Sequence, residues 1–293
     1  MKILITGAKG QLGIALQRRF SGRELGHEVI ALDRSVLDIT SARACAQKLN
    51  ELRPQLVLNC AAYTAVDRAE AEPEIAYAIN AEGAKNLALA CGASAAKLVH
   101  FSTDYVFDGT SDRAYIETDV TAPLGVYGAS KLAGERLVLQ SMSAAIVLRL
   151  SWVYSNDGAN FYKTMLRLGS ERSLLRVVDD QRGTPNFTGD IADAVAHIVR
   201  SEPASLSESS GVYHLSGTGI TTWCGFARSI FSRAKLTSSP SVERITTDEY
   251  PTPAKRPAFS ALDSSRFAAT FGWVAPEWEP GLARCLAERV MSA

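Results

Sequence analysis

The sequence lacks a charge imbalance, cysteine pairs and any long apolar run, and each absence removes a class of function. Its 293 residues carry 31 Lys and Arg against 31 Asp and Glu, a formal net charge of zero. With no run of basic residues either, nothing marks a nucleic-acid surface. The five cysteines (Cys45, Cys60, Cys91, Cys224, Cys285) are odd in number and scattered, and the four histidines do not cluster. No CxxC or metal-type spacing occurs, so reduced, mostly buried thiols and no metal site are expected. No uninterrupted apolar stretch approaches the roughly 18 residues of a membrane span. The apolar run in MKILITGAKG is about five residues, short of the roughly 7–15 of a signal-peptide core. The expectation is a soluble, cytoplasmic protein with no membrane or nucleic-acid partner.

What the chain does have is alternation. KILIT (2–6), HEVIALD (27–33), QLVLNCAA (55–62), KLVHFST (97–103) and AAIVLRLSWVY (144–154) are short apolar runs that read as buried strands. Between them QLGIALQRRF (11–20), SARACAQKLNEL (41–52), a long stretch over 72–94 and SKLAGERLVLQS (130–141) have helical spacing. Strands apolar on both faces that alternate with helices predict an α/β fold, a doubly wound parallel sheet covered on both sides. The dinucleotide-binding domain is expected over 1–154. Residues 155–293 are expected mainly as a smaller, partly interleaved substrate domain, with segments near 188–217 returning to the first. The polar stretch SEPASLSESSG (201–211) reads as a loop rather than a linker.

TGAKGQLG (6–13) places Gly7, Gly10 and Gly13 in G-x-x-G-x-x-G spacing between the first strand and the first helix. Glycines there permit a tight turn and let backbone N–H groups approach a diphosphate at the helix N-terminus. Asp33 ends the second strand, 20 residues beyond Gly13. A carboxylate at that place accepts hydrogen bonds from ribose hydroxyls and favours NAD. Lys9 and Arg34 stand close enough in sequence to hold the 2′-phosphate of NADP instead, so NADPH and NADH both remain open. Asp38 and Ile39 follow in a loop suited to the adenine, and the small residues of CAAYT (60–64) suit close passage of a dinucleotide.

YGASK (127–131) holds Tyr127 and Lys131 four residues apart, on one face of a helix. Thr103 ends a strand whose carboxyl end opens on the same crevice. A hydroxyl, a phenol and an ammonium together form an acid for carbonyl reduction. An ammonium about 5 Å away, at an effective dielectric near 20, favours phenolate by about 3 kcal/mol. That would draw a phenol pKa of about 10 towards about 8.

These features resemble the extended short-chain dehydrogenase/reductase superfamily. AAYTAVDRAE (61–70), STDYVFDG (102–109), YGASKLAGE (127–135), RLSWVY (149–154), DDQRGTP (179–185) and KRPAFSALD (255–263) narrow the resemblance, almost end to end, to the dTDP-4-dehydrorhamnose reductase family. The resemblance implies hydride delivery from NAD(P)H to C4 of dTDP-4-dehydro-L-rhamnose, with Tyr127 giving the proton to O4. It implies Gly10, Gln11, Leu12, Asp33, Asp38, Ile39, Ala62, Tyr63, Thr64 and Phe101 at the cofactor, with Lys131 also on the nicotinamide ribose. Thr103, Asp104 and Trp152 would meet the sugar, with Val66 and Tyr105 as further contacts. Arg182 and Arg256 would clamp the diphosphate, since guanidinium forks suit phosphate oxygens. Family members described as magnesium-linked dimers use a glutamate at the position of Ala15. Alanine has no ligand atom, so the expectation here is no magnesium site, and a monomer or weak homodimer.

Two other readings share the fold. A nucleotide-sugar 4,6-dehydratase has Thr-Asp-Glu where this chain has Thr103-Asp104-Tyr105, so the glutamate that chemistry needs is missing; another 4-reductase or an epimerase stays closer. The methionine adenosyltransferase beta subunit, a non-catalytic regulatory protein, also resembles the family. The intact Thr103, Tyr127 and Lys131 set argues against that role.

Overall fold

The apolar runs become one sheet because the central ones are buried on both faces. In the computed structural model, which describes residues 1–21, 26–200, 209–234, 236 and 239–292, six parallel strands pair side by side. They are β1 (Lys2–Thr6), β2 (Glu28–Leu32), β3 (Leu56–Asn59), β4 (Lys97–Thr103), β5 (Ala145–Leu150) and β6 (Gly211–His214), in the order β6-β5-β4-β3-β1-β2. Residues alternate between the faces, as a pleated strand requires. Ile3, Ile5, Val99, Phe101 and Leu148 meet α1 (Gln11–Phe20) and the helix Thr188–Arg200 on one side. Leu4, Val57, Leu98 and Val147 meet α2 (Ala42–Leu52), α3 (Ala84–Ala93) and α4 (Val126–Ser141) on the other.

The chain runs outward from β1 to β2, then crosses back to build β3 to β6 on the opposite side. This reversal opens a crevice at the carboxyl ends of the strands. After β5 the chain builds a separate apolar cluster from the helices Phe161–Glu171 and Trp223–Arg233 and the strands Leu174–Val178 and Ser241–Ile245, where Tyr162, Leu175, Phe226 and Ile230 are buried together. The chain returns to the central sheet at β6. Of the serine-rich stretch 201–211, residues 201–208 lie outside the described residues.

Two elements differ from their sequence patterns. The run 144–154 is not one strand: β5 ends at Leu150, Trp152 turns through a left-handed conformation at φ +41°, and Val153–Tyr154 pairs instead with Asn186–Phe187. The helical stretch over 72–94 is three pieces: Pro73–Tyr77, a wider π turn at Ala78–Gly83, and α3. Asn80 sits in that turn, where its side chain accepts from Tyr63 N at 2.8 Å and donates to Ser130 Oγ at 3.0 Å. Gly134 of α4 packs so tightly on the Asn80 carbonyl that a Cβ would lie 2.0 Å from it. Tertiary demands on Asn80 thus displace regular α geometry.

Candidate active site

The first turn of α1 has the shape that a diphosphate needs. Gly7 adopts φ +65°, and a Cβ there would lie 2.6 Å from the Cys60–Ala61 backbone. A Cβ on Gly13 would lie 2.4 Å from the Gly7 carbonyl oxygen. Gly10 is the N-cap and supplies no side-chain oxygen, so the helix begins with uncapped N–H groups. Those donors and the helix dipole favour an anion.

The turn borders a cavity of about 990 Å³ lined by the residues that follow β1 to β5. The sheet order arranges them along its edge. Lys9, Asp33, Arg34, Asp38 and Ile39 lie at one end, followed by Gly7, Gly10, Gln11, Leu12 and Gly13. Ala62, Tyr63, Thr64 and Val66 follow β3, with Phe101, Thr103, Asp104 and Tyr105 at β4 and Trp152 after β5. Tyr127 and Lys131 of α4 close the cavity over β4. Asp33 is ion-paired with Lys9 and accepts from Ser35 N at 2.8 Å, interactions that hold its carboxyl down at about 2. Arg34 lies 3.6 Å from Asp38.

Lys131 is buried, and its Nζ donates to the Phe101 carbonyl at 2.6 Å. Burial pulls its ammonium from the ordinary 10.5 to about 8. The phenol does not respond to Lys131 as the spacing implies. Surrounding protein pushes Tyr127 up from 10, and the Thr103 hydroxyl offsets only part of that rise. Two groups withdrawn from water each favour their neutral forms, and this desolvation outweighs the helical i, i+4 proximity. Tyr127 is therefore a proton holder at neutral pH.

Asp104 is the second unusual acid. Thr103 Oγ1 donates to its Oδ1 at 3.0 Å, while Oδ2 is buried without a hydrogen-bond partner. Burial raises its carboxyl to about 7. Behind these residues, Glu135 accepts from Ser102 at 2.5 Å and pairs with Arg149 at 2.8 Å, both charges being buried. Glu135 lies one turn beyond Lys131 in YGASKLAGE, so its spacing was a usable signal; its partner on another strand was not.

The two arginines do not line the cavity. Arg256 pairs with Asp67 at 2.7 Å and reaches the Tyr105 hydroxyl at 3.3 Å. Arg182 is exposed above the Phe259 ring, its backbone paired with Thr222. Each thus abuts a wall residue: Tyr105 for one, and Trp152, through Gly183, for the other. Trp223, which sequence reasoning did not single out, does line the cavity; its ring lies parallel to that of Trp152, with centroids 3.5 Å apart. Ala15 is buried in the core of α1, and among the described residues no cluster of three His, Cys, Asp or Glu could hold a metal.

A family model described as the RmlD substrate binding domain matches residues 1–291, and the dTDP-4-dehydrorhamnose reductase of Escherichia coli K12 is 40% identical over 98% of both chains. The chain belongs to the dTDP-4-dehydrorhamnose reductase family. The crystal structure of the Clostridium acetobutylicum member superimposes with a TM-score of 0.93 at 40% identity, covering 99% of this chain and 100% of that one. The Bacillus anthracis family member, solved in complex with NADP, gives 0.92 at 39% identity over 98% and 99%. The resemblance read from the six motifs and the doubly wound fold are therefore both borne out.

Proposed function

We propose that the protein reduces the C4 keto group of dTDP-4-dehydro-L-rhamnose with NAD(P)H to give dTDP-L-rhamnose. The observation that carries this reading is the meeting of Tyr127, Lys131 and Thr103 in the cavity that the uncapped glycine turn also borders. When bound, NAD(P)H supplies the hydride that C4 gains. Tyr127 holds the proton that O4 takes, and its high pKa keeps that proton in place until the oxygen becomes anionic. Thr103, beside the phenol, orients the same oxygen. Lys131, fixed through Phe101, is placed to hold the nicotinamide ribose, and the first N–H groups of α1 the diphosphate.

The Lys9–Asp33 pair supports use of both cofactors: Asp33 can take a ribose diol, and Lys9 with Arg34 a 2′-phosphate. Arg182 and Arg256 are assigned to the substrate diphosphate at the rim, where Arg256 would exchange Asp67 for phosphate oxygens. The reading takes the protein as cytoplasmic and monomeric or weakly dimeric, without magnesium. The test supplies dTDP-4-dehydrorhamnose and NADPH with no partner protein, follows NADPH absorbance and identifies the product by NMR. No NADPH oxidation, or a product epimeric at C4, would overturn the assignment.

A further inference from the structure

The helix that carries Tyr127 and Lys131 has no cap of its own. α4 starts at Val126, so Tyr127 is its second residue. Gly125, at the N-cap, has no side chain to offer the first N–H groups, and the first turn holds no acidic residue. Such N–H groups need acceptors from elsewhere, and helix ends fray. The proton holder thus stands on the part of α4 that its local sequence supports least.

The acceptor comes from 56 residues away in the chain, where Glu70 Oε1 takes the Val126 N–H at 2.9 Å. Glu70 follows the short helix Val66–Ala69, whose first residue lines the cavity. That helix is itself anchored: Asp67 accepts from Arg256 at 2.7 Å and from Ala254 N at 3.3 Å, and Ala69 is buried. A Cβ on Gly125 would lie 2.5 Å from Glu70 Oε1 and, among the described residues beyond its chain neighbours, would approach no other residue within 4 Å. The Gly125 backbone is extended (φ −148°, ψ 175°), a conformation open to any residue. What the glycine provides is room for the carboxylate. Further along the same turn, Gly128 packs on the Tyr105 carbonyl and Ser130 Oγ donates to the Tyr127 carbonyl at 2.9 Å.

We propose that Glu70 is a positioning residue for the carbonyl reduction, holding the first turn of α4 through the Val126 N–H so that the Tyr127 hydroxyl stays beside Thr103. The inference rests on the reductase reading above and deepens it. Displacing a reacting group by about 1 Å is enough to cost about 10²-fold in rate. Lys131 lies one turn further on and is tied separately to the Phe101 carbonyl, so cofactor binding does not depend on this bond.

The test follows single-turnover hydride transfer to dTDP-4-dehydrorhamnose, NADPH affinity, and hydrogen exchange at the start of α4. Glu70→Ala should slow hydride transfer by roughly 10- to 100-fold and leave NADPH affinity unchanged. Exchange of the Val126 N–H should quicken by roughly 2- to 30-fold, the range for a lost cap. Glu70→Gln keeps an acceptor oxygen and should recover most of the rate. Gly125→Ala, whose Cβ displaces the carboxylate, should reproduce the loss, and the two alanine substitutions together should be no worse than either alone. Gly125→Ser placed in the Glu70→Ala background supplies a local cap and should restore the rate. An unchanged rate in Glu70→Ala, additive losses in the double variant, or a parallel fall in NADPH affinity overturns the proposal. If Glu70→Ala does not fold, Gly125→Ala carries the same test. Normal wild-type turnover that Glu70→Ala leaves untouched sinks this inference alone, whereas a wild-type protein without turnover sinks the reductase reading itself.

Discussion

Lys131 Nζ donates to the Phe101 carbonyl at 2.6 Å, so the strand that ends in Thr103 also fixes the ammonium. Its pKa of about 8 gives a pH dependence with a definite sign. The charge is present below that value and lost as pH rises through it. NADPH affinity and kcat/KM should be level up to about pH 7 and fall above about pH 8, by roughly tenfold per pH unit at the limit. Fluorescence titration of NADPH binding from acid to alkaline pH checks this. Lys131→Met should bind weakly with a flat profile, and an unchanged slope in that variant would release Lys131 from the ribose.

Tyr127→Phe removes one hydroxyl and keeps the ring. Fold and NADPH affinity should persist, while kcat falls by roughly 10²–10⁴ as the positioned acid is lost. Single-turnover kinetics, where hydride transfer limits the rate, is the measurement. Near-normal turnover would shift the proton source to Asp104 or water.

Asp104 should burden the fold at high pH. Its carboxyl titrates at about 7 in the native protein against about 3.9 when unfolded, so between those values the native state binds the extra proton. Stability therefore falls as pH rises through that window. The burden is absent below about pH 4 and complete above about pH 7, at up to about 4 kcal/mol. Asp104→Asn should raise Tm at pH 8 and leave it nearly unchanged at pH 4. Equal gains at both would mean that the carboxylate's charge is not the cause.

The Glu135–Arg149 pair should be costly to halve. Both charges are buried, so Glu135→Gln strands a guanidinium and should cost about 3–5 kcal/mol in urea denaturation. Replacing both residues with methionine should cost much less. A double variant as unstable as the single one would argue against an uncompensated charge as the cause.

Cofactor preference should move through Lys9, which neutralises Asp33. Lys9→Ala should shift kcat/KM towards NADH and Asp33→Ala towards NADPH, each within about two orders of magnitude, or under 3 kcal/mol. Arg34→Ala should weaken NADPH alone; parallel losses for both cofactors would take Arg34 off the 2′-phosphate.

The glycine turn, Asp33 and Tyr127 with Lys131 were legible because each obeys a local rule: a strand, a turn, a helical repeat. What local rules miss is set by solvent and by distant chain. The acidity of Tyr127 follows how much protein surrounds it, and i, i+4 spacing carries no such information. Trp223 reaches the site only because its helix packs back on Trp152, from a segment with no motif of its own. The π turn at Asn80 answers to Tyr63, Ser130 and Gly134, none of them its neighbours in sequence.

Four of the five thiols divide between two apolar bodies, while Cys60 is half-buried at the cavity. Cys45 and Cys91 are buried beneath α2 and α3 against the central sheet, and Cys224 and Cys285 in the cluster that follows β5. Burial raises the pKa of all four, so an aromatic disulfide reagent must wait for the surrounding structure to open. The molecule thereby carries two built-in clocks, one per body. Their labelling rates, followed by peptide mass, time the opening of each half within one unmodified chain.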